Sequence, residues 1–102
     1  MKRARVYQKK ALAGVVEELD GGRFRFTYED GYSGSPVSLT MPVSQKVYEF
    51  ASFPPVFEGL LPEGIQLEAL LRRAKIDRND LFGQLLSVGG DVVGSLRIVE
   101  EK

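Results

Sequence analysis

Asp20-Gly21-Gly22-Arg23-Phe24-Arg25-Phe26-Thr27-Tyr28 is the stretch that decides the fold. Phe24, Phe26 and Tyr28 alternate with Arg23, Arg25 and Thr27. That is the period of a strand with one face in a core and the other in water. Asp20-Gly21-Gly22 in front of it is a hairpin signal, because glycine accepts the positive φ of a tight turn. Upstream, residues 11–19 supply the strand on which this turn folds back, and residues 3–7 supply another across the turn Gln8-Lys9-Lys10. Downstream, residues 29–36 are rich in Gly and Ser and read as a loop. Val37, Leu39 and Met41 then alternate with Ser38 and Thr40, which predicts a further short strand ending at Pro42.

The second half changes period. Residues 42–55 form a mixed segment that contains Val47, Tyr48, Phe50 and Phe53. Pro54-Pro55 opens a short helical turn over 56–61, since proline is tolerated in a first turn, and Pro62 ends it. Leu67, Leu70, Leu71 and Ala74 fall on one face of a helix. Asp77 reads as the N-cap of a following helix, with Asp80 adding favourable charge at its start. Leu81, Phe82, Leu85 and Leu86 give that helix its apolar face, and Gly89-Gly90 stop it. Residues 92–99 return to a strand, with Val92, Gly94, Leu96 and Ile98 on one side. Strands, then short helices, then a closing strand predict one α+β domain over residues 1–102: a small, mostly antiparallel sheet with short helices packed on one face.

Composition narrows the chemistry. The chain has no cysteine and no histidine, so thiolate chemistry, disulfides, a Ser-His-Asp site and a His- or Cys-ligated zinc site are all excluded within it. An apolar fraction of 43% and a charged fraction of 27% are those of an ordinary globular protein. No apolar run approaches the ~20 residues that cross a bilayer. Met1-Lys2-Arg3-Ala4-Arg5 is not followed by the apolar stretch of a secretory signal. The expectation is a cytoplasmic protein with no membrane partner. Formal net charge is zero, but Lys2, Arg3, Arg5, Lys9 and Lys10 crowd the first ten residues without an acid among them. Such a cluster either touches nucleic acid or an acidic partner, or charges an edge strand against aggregation.

Few residues invite a catalytic reading. Gly89, Gly90 and Gly94 lie between a helix and a strand, the reverse of a phosphate loop, and read as turn glycines. Asp91 has no second carboxylate at a pairing distance on its own element. A catalytic acid or metal ligand there would need such a partner, so it reads as an aspartate bonding backbone N–H groups of its own turn, and it is kept among the partner-contact candidates. Glu63 is a helix-start acid or a partner contact. Phe50, Phe53, Phe57, Leu60 and Leu61 exceed what a short connection needs. They form either a lid over the sheet or, where they stay at the surface, an apolar binding patch. The candidate partner-binding residues are therefore Phe53, Phe57, Leu60, Leu61, Glu63 and Asp91, with no catalytic, metal or cofactor residue.

Three runs carry a resemblance: Phe57-Glu58-Gly59-Leu60-Leu61-Pro62-Glu63-Gly64, then Asp80-Leu81-Phe82-Gly83-Gln84-Leu85-Leu86, then Gly89-Gly90-Asp91-Val92-Val93-Gly94-Ser95-Leu96. Their order resembles the amino-terminal subdomain of the HipA-type serine/threonine kinases of bacterial persistence modules. The stretch 36–42 resembles that family's proline-bounded strand. In those kinases the catalytic core follows, whereas this sequence stops at Lys102. It is thus similar to the free-standing HipS-type small proteins of three-gene HipBST systems. The resemblance implies an antitoxin or regulatory subunit that is no enzyme and needs no cofactor. Its partner would be a separately encoded HipA-like kinase toxin (HipT), in the same complex as a HipB-like helix-turn-helix repressor, with DNA reached only through that repressor. ATP, magnesium and the aminoacyl-tRNA synthetase substrate belong to the kinase, and no kinase active-site residue carries over. A non-inhibitory structural piece of such a kinase and a nucleic-acid-binding accessory are the alternative functions.

Overall fold

The computed structural model describes residues 2–89 and 96–101. Five strands form one antiparallel sheet: β1 (Arg3–Gln8), β2 (Ala11–Glu18), β3 (Phe24–Tyr28), β4 (Val47–Phe50) and β5 (Leu96–Glu101). Their spatial order is β4-β3-β2-β1-β5, so the last strand lies beside the first. Among the described residues three α-helices accompany the sheet: α1 (Pro55–Glu58), α2 (Gly64–Ala74) and α3 (Leu81–Val88). This is the expected α+β architecture.

The β3 alternation holds to the residue: Phe24, Phe26 and Tyr28 are buried, while Arg25 and Thr27 face out. A single-turn 3-10 segment over Asp20–Gly22 joins β2 to β3, with Gly21 and Gly22 at φ 76° and 79°. Gly14 serves a different need. A Cβ there would stand 2.3 Å from the Thr27 carbonyl oxygen and 2.7 Å from the Phe26 ring, so only glycine lets that ring lie flat across β2.

The core is the helix-facing side of the sheet. Ala4, Val6, Val16, Phe24, Phe26, Tyr28 and Ile98 meet Phe53, Phe57, Phe82 and Leu85. Phe24 lies edge-on to both Phe53 and Phe82, with centroids 5.3 and 5.5 Å away. Such pairs are worth about 0.5–1.5 kcal/mol beyond area burial. The opposite face is open, and register sets a charge ladder across it. Glu101, Arg3, Glu17, Arg25 and Glu49 sit side by side on successive strands. Ion pairs of 3.7, 3.7 and 3.0 Å link Arg3 to Glu17 and Glu101, and Arg25 to Glu49.

Four expectations are corrected. Residues 37–41 are not a strand but a turn, for reasons given below. The mixed segment hides β4, which pairs Val47 to Phe50 with Thr27 to Phe24. The cap of α3 is Asp80, whose Oδ1 accepts from the Gly83 amide at 2.9 Å; Asp77 instead closes its own turn by accepting from the Asn79 amide. Finally, β1 is no edge strand. It lies between β2 and β5, so its basic residues do not guard a sheet edge.

Candidate partner-binding surface

The proposed patch divides on burial. Phe57, on α1, is fully buried against Phe26, and Phe53 is 8% exposed within the Phe24-Phe82 cluster. Phe50 ends β4 and packs on the core from its rim. Phe53 and Phe57 form the lid of the two readings offered by the sequence, while Phe50 belongs to the sheet itself. Proline builds that lid locally. Pro54 is extended, its carbonyl accepts from the Phe57 and Glu58 amides, and Pro55 begins the single turn.

Leu60 and Leu61 are half-buried beyond that turn, and Glu63 is exposed. Glu63 occupies the N-cap of α2 in extended conformation without a side-chain capping bond, so its carboxylate is left to solvent. Asp91 lies outside the described residues. The structure thus brings Leu60, Leu61 and Glu63 together at the start of α2 and assigns Phe53 and Phe57 to the interior.

Helix α2 extends this surface. Leu70 is its one buried residue, Leu67 and Leu71 are half-covered, and Ala74 is exposed. Ile65, in the first turn, is 88% exposed. The helix packs on α3, and its C-terminal link is tied by Arg78 to Glu68 at 2.6 Å. Buried Gln84 also donates to the Arg78 and Asp77 carbonyls at 2.9 and 3.3 Å. The sequence showed the apolar stripe of α2 but not that much of it stays uncovered.

A second feature was read only in part. The loop expected over residues 29–36 runs on to 46 without strand or helix, and three tyrosines fix its course. The Tyr28 hydroxyl accepts from the Val37 amide at 3.0 Å and donates to the Met41 carbonyl at 2.6 Å. Tyr32 donates to the Ser35 carbonyl and Tyr48 to the Pro42 carbonyl, both at 2.6 Å. The Tyr28 and Tyr32 rings stack 5.8 Å apart. Burial pushes both hydroxyls above their ordinary pKa. The signal in the sequence was a tyrosine closing β3, one in the segment that follows it and one in β4 beyond.

Among the described residues no cluster of three or more carboxylates could hold a metal ion, and no helix is long and apolar enough to cross a membrane. The basic start does not form a patch. Arg3 and Arg5 are drawn into the ladder through Glu17 and Glu101. Lys2 precedes β1, while Lys9 and Lys10 lie at the turn beyond its far end.

Residues 4–99 match the family model of the HipA N-terminal domain. The chain belongs to the HipA N-terminal domain family. A Haemophilus influenzae protein described only as uncharacterized is 33% identical over 98 residues, covering 96% of this chain and 92% of that one. A solved structure described as the N-terminal domain of HipA toxin superposes with a TM-score of 0.81 at 28% identity, covering 100% of this chain and 94% of the other. The same fold recurs in a Shewanella oneidensis toxin–antitoxin complex of HipA, HipB and operator DNA, with a TM-score of 0.72 at 19% identity. There the match covers 94% of this chain but 23% of the other. The HipA N-terminal domain is therefore found both as nearly all of a small protein and as one part of a much larger one.

Proposed function

We propose that this HipA N-terminal domain is an antitoxin or regulatory subunit. It binds a separately encoded HipA-like serine/threonine kinase (HipT), takes the place of that kinase's amino-terminal subdomain and restrains it. A HipB-like repressor completes the assembly and carries its contact with DNA. The observation that carries this reading is the match over nearly the full length of a small relative, in which the domain is a unit without an attached kinase. The surface from Leu60 through α2 supports it. A helix with one buried anchor, an exposed isoleucine and a half-covered leucine stripe suits a partner that finishes its burial.

The chain acts without a catalytic centre or cofactor of its own. Restraint takes one of two physical forms: covering the surface where the kinase's substrate docks, or stabilising an inactive arrangement of its loops. Kinetics separate them, since a docking block raises the apparent KM for substrate, whereas a population shift also slows autophosphorylation. The deciding experiment expresses the kinase from the same locus with and without this chain, with a pull-down from the same cells. Rescue of growth with co-purification supports an antitoxin acting by contact. Co-purification without rescue makes the chain a structural subunit, and the absence of both rescue and co-purification removes the reading. Leu60→Asp together with Ile65→Asp should abolish co-purification while thermal unfolding stays cooperative.

A further inference from the structure

The most exposed large apolar side chain among the described residues is not on a helix or a strand. Leu39 is 95% exposed, at the apex of the 37–41 turn. Its neighbours two residues away on either side, Val37 and Met41, are buried at 8% and 2%. The backbone between them is held from both ends by one group. The Tyr28 hydroxyl takes the Val37 amide and gives its proton to the Met41 carbonyl. Inside that bracket the Met41 amide donates to the Ser38 carbonyl at 3.0 Å, which makes a β-turn with Leu39 and Thr40 at its centre. The Ser38 hydroxyl oxygen accepts from the Thr40 amide at 3.3 Å and lies 3.0 Å from the Thr40 hydroxyl. A single leucine is thus presented on a loop whose ends, turn and flanking side chains are already fixed.

We infer that this Tyr28-bracketed turn is a preformed knob whose Leu39 enters a leucine-sized apolar pocket on a partner protein, with Ser38 and Thr40 meeting hydrogen-bonding groups at the pocket's rim. One observation and one magnitude point to protein as the occupant. Residues 31–45 carry no charged side chain, so the segment itself offers no cation to nucleic acid or an anionic bilayer. One leucine also buries too little to hold a membrane surface by itself. The lack of charge is a property shared with interface cores, where charged residues are depleted. Fixing the loop before binding removes an ordering cost that a flexible loop would meet on association. The partner is the kinase of the proposed function, on which this inference rests, and the knob is a contact additional to the Leu60–α2 surface.

The test is a calorimetric titration of the purified chain into the purified kinase. Leu39→Ala should weaken binding at least tenfold, with a melting temperature unchanged because the side chain touches little of its own fold. Tyr28→Phe keeps Leu39 but removes the bracket. It should also weaken binding, with faster hydrogen exchange at the Val37 amide in the free protein. Wild-type binding with Leu39→Ala within about twofold of it would overturn the knob and leave the regulatory reading intact. Loss with Leu39→Ala but not with Tyr28→Phe, despite faster Val37 exchange, would overturn the preforming role of the bracket. No binding by the wild type would remove the regulatory reading and this inference together.

Discussion

The 29–46 loop and helix α2 reverse the usual relation between regularity and anchorage. The loop has no repeating backbone pattern, yet it buries Val37 and Met41 and is pinned at three carbonyls by tyrosine hydroxyls. The helix satisfies its own backbone and buries only Leu70. Hydrogen bonds within a helix close locally and say nothing about how the element is attached. A loop of this length must send its polar backbone somewhere, and here three of its carbonyls go to tyrosine hydroxyls, one of them that of Tyr28, which is seated in the core. The part of the domain that looks ordered is the part left incomplete.

The comparison can be broken most forcefully at Leu70. Leu70→Ala should cost about 2–5 kcal/mol. Because the helix has no second buried anchor, the loss should appear first as local release, with α2 amides losing exchange protection ahead of the β1–β3 amides. Uniform loss across the domain would show α2 to be as firmly joined as the sheet. Tyr28→Phe comes next. It leaves the Val37 amide and the Met41 carbonyl without their partner, a deficit of about 1–3 kcal/mol by urea titration. A value near zero would mean that the bracket merely accompanies the turn.

Alkaline pH sharpens the same point without a mutation. Burial raises the Tyr28 hydroxyl above its ordinary value near 10, against a partial opposing effect of the Val37 amide. The folded chain therefore holds this proton more tightly than the unfolded chain does. Stability from this group is complete below pH 10 and drains as pH rises through the folded-state value. The wild type should lose more stability above pH 10 than Tyr28→Phe does, although Tyr32, raised by burial too, remains in both. The smallest effect is expected at Ile65: Ile65→Ala should shift stability by no more than about 0.5 kcal/mol. A larger shift would reveal a contact that its exposure denies.

The hairpin core was legible because its information is local. Period-two patterning defines β3, and two glycines mark where β2 folds back on it, without reference to anything distant. Where the sequence misled, a distant group decided. Val37, Leu39 and Met41 imitate a strand, but the Tyr28 hydroxyl captures the backbone at both ends and turns Leu39 outward. Strand β4 has four residues, and its pairing with β3 lies across the whole loop. Asp77 and Asp80 are equivalent as sequence, and the choice between them rests on which one meets the amide of Gly83. The binding patch suffered likewise. Phe53, Phe57, Leu60 and Leu61 are alike in residue class, and only packing separates the two that fill the core from the two at its margin.

The neighbouring of β1 and β5 has a consequence for how the domain is made. Arg5 and Glu101, joined across that pair, stand 96 residues apart in the chain. On the ribosome β5 is made last among these elements, so until then one side of β1 has no neighbouring strand to take its amides and carbonyls. Such an open border invites strands from other chains and slows productive closure. The nascent protein therefore passes its most vulnerable interval just before β5 appears, and a pause in translation there would lengthen that exposure.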